Sequence, residues 1–298
     1  MTTSDVAPTP TSPASHTSSE DVGGGFRVNR LAGLLVTLAA LFMFGETGLP
    51  EGSMGDLGGY DLVYDDYFLI ALNESMEPVQ EDIARSFDFF AQEYWEGVNP
   101  QGGPTTKLRG QALYRPLTLF LWGLVVGVTG AVDTTDAWPF HALSVLANCW
   151  VVWLLFSVLS RLFRSTRLAV LAALLYAVHP LHSEAVAYVA GFSDVIGAGC
   201  VLWGLSAYER IASRPDRMAW GAWVSMLLAM FVGLLAKETG VLVLAVVGLT
   251  DVMLSLQGRG TGLGHRIKVY GGLLGVLAAL LVHNKVGYLF LGTGFCGG

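Results

Sequence analysis

The amino-acid sequence predicts an all-α polytopic membrane protein, and three observations carry that prediction. Hydrophobic residues make up 53% of the 298 and charged residues only 14%, with a mean hydropathy of +0.53, beyond the ordinary range of a soluble domain. The apolar residues gather into runs long enough, with their flanks, to approach the ~20 residues a helix needs to cross a bilayer. Clusters of arginine and lysine follow every second expected span, as short cytoplasmic loops do.

Taken in chain order, residues 1–25 are Ser, Thr, Pro and Gly with almost no large apolar group. They cannot offset the entropy of ordering and read as a disordered cytoplasmic tail. Arg27 and Arg30 then precede the first apolar run and put the N-terminus inside. A cleaved signal peptide is the rival reading of that run, but the long polar tail before it and the lack of a small-x-small site after Phe44 argue against it. Seven spans are expected at about 28–48, 138–160, 167–184, 192–209, 217–236, 240–256 and 268–288. The twelve-residue run 117–128 is read as a re-entrant or juxtamembrane helix. As a full span it would put Arg161, Arg164 and Arg167 on the wrong side.

This threading sends one unusual segment outside. Residues 45–115 hold 13 Asp or Glu against 4 Lys or Arg, so that stretch alone exceeds the whole chain's net charge of −7. The acidic outer loop 45–137, the turn in "AVHPLHSEAV", Asp194 and the Lys237-Glu238 pair all emerge on one face, whereas the basic loops are short and chemically plain.

Several residues on that face can carry chemistry. Adjacent carboxylates Asp65 and Asp66 can supply a general base or a metal ligand, or be solvated loop acids. Arg115, between Tyr114 and Pro116, can hold a phosphate bidentately at headgroup depth, or snorkel as an anchor. Pro180 interrupts helix hydrogen bonding between His179 and His182, with Glu184 close by. The proline makes metal spacing unreliable, and hydrogen-bonded interfacial histidines are the preferred reading. Lys237 and Glu238, wedged between spans, either meet an anionic headgroup or form a solvated hairpin. Asn73-Glu74-Ser75 is a sequon, Asp133 and Asp136 read as turn or cap residues, and Asp251 and His283 as polar residues packed against neighbouring helices. Cys149, Cys200 and Cys296 read as small packing residues. No nucleotide-binding loop, nucleophile elbow or CxxC pair is present, and no nucleic-acid partner is expected.

The acidic pair, "YRPLT", "FHALSVLAN", "LYAVHPLHSEAVAYVAGFSD" and "AKETGVLVL", in that order over about residues 60–255, resemble the membrane half of the tetratricopeptide-linked transmembrane O-mannosyltransferases, members of the GT-C glycosyltransferase superfamily. The resemblance implies a GT-C-like module over 26–298. It would transfer a sugar, mannose in this family, from a polyprenyl-phosphate donor to a hydroxyl acceptor such as protein Ser or Thr on the outer or lumenal face. It further implies Asp65 or Asp66 as base, Arg115 and Lys237 as donor-phosphate ligands, and Tyr114, His179, His182, Glu184, Asp194 and Glu238 around the cavity. No cofactor is implied beyond the lipid-linked donor, and divalent metal is left open. The membrane would be a bacterial inner membrane or the endoplasmic reticulum. The family's repeats, about 34 residues each, are not found, so the sequence is expected to be a minimal unit or a piece of a longer chain. A transporter or a non-catalytic scaffold is the alternative.

Overall fold

The computed structural model describes residues 28–49, 62, 65–92, 94–95, 97–98, 113–131, 137–214 and 217–282. The expected tail at 1–25, and Asp133, Asp136, His283 and Cys296, lie outside the described residues. Among these residues the structure is all-α, with a single isolated bridge between Asn73 and Val98.

Ten α-helices are described: α1 (Arg30–Phe44), α2 (Glu77–Glu81), α3 (Pro116–Thr129), α4 (Trp138–Phe163), α5 (Thr166–Ala177), α6 (His182–Ala187), α7 (Phe192–Ala212), α8 (Trp220–Ala236), α9 (Leu242–Leu256) and α10 (Leu263–Val282). Among the described residues, five segments are long and apolar enough to cross a membrane: Arg30–Thr47, Trp138–Phe163, Val189–Ala212, Glu238–Leu256 and Leu263–Val282. Two of the seven expected spans fall short of that length, α5 with 12 residues and α8 with 17. The span expected at 167–184 is broken: its helix stops at Ala177 and a turn leads into α6. Pro180 has no N–H to continue the ladder, which accounts for the stop.

Local chemistry sets the helix ends. The Asn29 side chain caps α1 by accepting from the Ala32 N–H at 3.1 Å, and Ser165 caps α5 through the Leu168 N–H at 3.4 Å. Pro116 sits in the first turn of α3, where its missing N–H costs nothing, and Gly130 closes that helix with φ 71°. Helix α3 thus occupies 116–129, over the apolar run 117–128 of the sequence.

The spanning helices pack through small residues. Ala169, Ala173 and Ala177 on α5, four apart, are buried against Val36 and Ala40 of α1 and Val152 and Phe156 of α4, the close approach that small side chains permit where lipid offers no hydrophobic drive. Helix α4 meets α7, and α7 runs antiparallel to α8 as the central hairpin, with α9 and α10 outside it. Leucines and isoleucines left exposed on α1 and α10, such as Leu34, Leu35, Ile267 and Leu274, are the surface a membrane-embedded bundle turns to lipid.

The described part of the acidic segment packs into the core. Leu69, Ile70, Met76, Val79 and Phe89 join Trp122 of α3 and Phe140 of α4 in one buried cluster. Asn73 of the sequon is 4% exposed, and its amide nitrogen donates to the Leu69 carbonyl at 3.1 Å. In this fold it is a packed structural residue rather than an accessible acceptor. Asp251 is buried on α9 and bonded to α7 and α10 as expected: it accepts from the Tyr208 hydroxyl at 2.6 Å and the Tyr270 hydroxyl at 3.1 Å and pairs with Arg266 at 2.9 Å. Cys200 is buried and Cys149 partly so.

Candidate active site

The site forms where the acidic segment meets the α6–α7 corner and the α8–α9 link. Helix α6 ends at Tyr188 in extended conformation, and a tight turn, Val189–Gly191, re-aims the chain into α7. Gly191 is required there: a Cβ at this position would lie 2.8 Å from the Ala185 carbonyl oxygen, closer than backbone can tolerate.

That turn presents two amides to Asp66. The carboxylate, fully buried, accepts from the Val189 N–H at 3.0 Å and the Ala190 N–H at 2.6 Å. Charge-assisted bonds of this kind balance the cost of burying a carboxylate. Asp65 has the opposite environment. It is exposed, its backbone N–H donates to the Tyr188 hydroxyl at 3.2 Å, and it faces a cavity of about 390 Å³ lined also by Arg115, Leu181, Glu184, Tyr188 and Asp194. The paired carboxylates of the sequence therefore divide: Asp66 is bound into the wall and Asp65 is available to a ligand.

Arg115 lines the cavity and Lys237 is paired with Asp194, which also lines it, so each cation is held by a carboxylate. Arg115 pairs with Glu238 through Nη2 at 2.9 Å and Nε at 3.4 Å, while its guanidinium carbon sits 5.3 Å from the centroid of the buried Tyr94 ring. Thr118, one turn into α3, donates to the Ala236 carbonyl at 3.2 Å and ties this arginine to the end of α8. Lys237, in extended conformation directly after α8, forms an ion pair with Asp194 in the first turn of α7. The solvated hairpin considered for Lys237-Glu238 is thus replaced by two cross-links between helices.

The tyrosines stay protonated at neutral pH. Burial first, and then the negative charge of Asp65, push the Tyr188 hydroxyl up to about 12, and burial raises Tyr94 and Tyr114 as well. Tyr114 donates to the Phe90 carbonyl at 2.9 Å and does not line the cavity. Nor do His179 and His182: the His182 ring stacks on Tyr176 at 3.9 Å and meets His179 edge-on at 5.9 Å. Burial, and secondarily the neighbouring His179, hold the His182 imidazole below its usual range. Among the described residues no three His, Cys, Asp or Glu side chains are grouped to hold a metal ion.

Of the residues expected around the site, the structure brings together Asp65, Arg115, Glu184 and Asp194 on one cavity, with Lys237 paired to Asp194 and Glu238 to Arg115. Tyr188 and Tyr94 were not singled out. Tyr188 lies inside a quoted motif, but its link to Asp65 spans 123 residues, and no local signal announces it. An exposed carboxylate opposite cations that a stronger anion can capture suits proton removal from a hydroxyl and stabilisation of a phosphate.

Comparison with known proteins gives the same direction. The model of the family described as dolichyl-phosphate-mannose-protein mannosyltransferase matches residues 116–284. Protein O-mannosyl-transferase TMTC1 of Homo sapiens is 30% identical over 243 residues, 77% of this chain and 26% of the relative. Protein O-mannosyl-transferase Tmtc2 of Drosophila melanogaster is 30% identical over 207 residues, 67% of this chain and 20% of the relative. The chain therefore spans about a quarter of the length of such relatives. No solved structure matches.

Proposed function

The chain belongs to the dolichyl-phosphate-mannose-protein mannosyltransferase family, and from that premise we propose that it transfers mannose from a polyprenyl-phosphate donor to a hydroxyl, that of a protein Ser or Thr. The observation that carries the reading is the shared cavity of Asp65 and Arg115. The acceptor oxygen attacks the anomeric carbon of the sugar and forms the new C–O bond. The bond from that carbon to the phosphate oxygen breaks, and the electron pair leaves with the polyprenyl phosphate. Asp65 takes the hydroxyl proton. Arg115 and Lys237 meet the charge accumulating on the leaving phosphate, exchanging Glu238 and Asp194 for a doubly charged partner. One direct displacement inverts the sugar carbon. Tyr188, held neutral, positions the Asp65 backbone.

The cavity opens to the outer or lumenal side of a bacterial inner membrane or the endoplasmic reticulum, with the N-terminus and the arginine-rich loops cytoplasmic. In support, the acidic residues share one end of the α7–α8 hairpin, and Arg161, Arg210 and Arg214 lie towards the other. Membranes containing the chain, supplied with radiolabelled polyprenyl-phosphate mannose and a Ser/Thr peptide, test the proposal. Label should pass to the peptide and be lost in Asp65→Asn and Arg115→Ala variants that insert normally. A native chain that never transfers label, or one that moves solute equally in all variants, leaves a scaffold or a transporter instead.

A further inference from the structure

The far end of the same hairpin carries a second cavity. It measures about 420 Å³ and is lined by Arg210, Ser213, Arg214, Met218, Trp220 and Gly221, among others. Helix α7 has 21 residues between the two ends, which at ~1.5 Å per residue is about the thickness of a bilayer's hydrocarbon core. The two cavities therefore face opposite leaflets.

Its charge is of a different kind from that of the neighbouring arginines. Arg161 is paired with Glu209 at 2.8 Å and Arg266 with Asp251 at 2.9 Å. Arg210 and Arg214 are exposed, and among the described residues neither forms a salt bridge, the neighbouring Glu209 carboxylate being bonded to Arg161. From Arg210 to Arg217 the sequence holds three arginines against Asp216 alone. A third cation stands at the rim: the Lys268 ammonium lies 5.2 Å from the Trp220 ring centroid, and the Lys268 carbonyl accepts from the Trp223 indole at 2.9 Å, which fixes α10 beside α8. Trp220 itself is 57% exposed, as tryptophans are at the membrane–water boundary.

We propose that this cavity binds the phosphate of an anionic lipid headgroup in the leaflet opposite the Asp65 cavity. Two guanidinium forks sharing one cavity match the oxygens of a phosphate. The exposed indole on the rim fits an occupant that continues into acyl chains, for which a free anion has no use.

Native mass spectrometry of the full chain, titrated with phosphatidylglycerol or phosphatidylcholine, tests this. Phosphatidylglycerol should be retained over phosphatidylcholine. Arg210→Gln together with Arg214→Gln should lower its bound fraction about tenfold, the loss expected when bidentate phosphate contacts are removed. Either single substitution should give a partial loss. Arg259→Gln, an exposed arginine of the next loop on that face, should change nothing, and millimolar inorganic phosphate should not displace the lipid. Equal retention of both lipids, an equal loss in Arg259→Gln, or displacement by inorganic phosphate would each overturn the proposal.

Discussion

Asp65 and Asp66 are adjacent in sequence, yet Asp66 accepts the amides of Val189 and Ala190 inside the wall while Asp65 faces the cavity. The two positions should fail differently. Asp65→Asn should keep the thermal midpoint of the native chain and lower mannose transfer by ~10²–10⁴, the usual worth of a positioned base. Asp66→Asn sets a side-chain N–H against a backbone N–H and should destabilise the fold by about 1.5–3 kcal/mol, the range for a hydrogen bond to a charged group. Thermal unfolding and transfer measured on both variants separate the roles. Equal loss of stability in the two would contradict this division.

Glu238 pairs with Arg115, so in the proposed reaction it competes with the donor phosphate. Glu238→Gln should lower KM for the lipid-linked sugar, whereas Arg115→Lys keeps the charge and loses the fork. The lysine variant should raise KM of the order of tenfold, the equivalent of one charge-assisted hydrogen bond. Donor titrations at saturating peptide decide it. An unchanged KM in both would remove Arg115 from phosphate binding.

His182 gives a pH dependence whose sign follows from its lowered pKa. The unfolded chain takes up the proton more readily than the folded one. The stability contributed by the neutral ring is therefore complete above about pH 6.5 and is lost as pH falls through the lower, folded value. His182→Phe keeps a ring on Tyr176 and has no proton to gain. Between about pH 7.5 and about pH 5.5 its thermal midpoint should drop less than that of the native chain, and parallel drops would refute the assignment.

The helix inventory was legible in the sequence because apolar length and arginine placement are bulk properties of each segment: α3, α4 and α7 lie where hydropathy and charge put them. The break after Ala177 was legible in the chemistry of Pro180, although the expected span was carried past it to residue 184. Partnerships were not legible. Nothing local tells that Asp66 meets residue 189 or that Arg115 meets Glu238, each 123 positions away. For the same reason the split between Asp65 and Asp66 could not be read, since their neighbours Tyr188, Val189 and Ala190 come from the turn between α6 and α7 and not from their own segment.

Gly240 is the residue that allows Lys237 and Glu238 to stand where they do. A Cβ there would lie 2.3 Å from backbone atoms of Gly233 and Leu234, atoms that cannot swing aside. Gly240→Ala should cost about 1–3 kcal/mol, as overpacking does, and should raise the donor KM by displacing the Lys237 ammonium. A variant with native stability and native KM would show that the crossing is looser than described.

At the other end of the bundle, Asp251 collects Tyr208, Tyr270 and Arg266. Asp251→Ala leaves a guanidinium without its counter-charge and should lower stability by about 3 kcal/mol, the low end for a broken buried pair because Arg266 is partly exposed. Adding Arg266→Ala should recover part of that loss, and the double-mutant cycle measures it. Additive losses would mean that the pair contributes no coupling.

Helix α5 has 12 residues and rises only ~18 Å, against a hydrocarbon layer of ~30 Å. Lipid beside it must thin, or the polar corner from His179 to Glu184 must sit sunken below the surrounding headgroups. Either way the bundle has a notch on that flank, next to the α6 residues Glu184 and Ala185 that line the Asp65 cavity. In the proposed reaction a polyprenyl lipid then glides in sideways with its tail still submerged, instead of being lifted out of the bilayer to meet the protein.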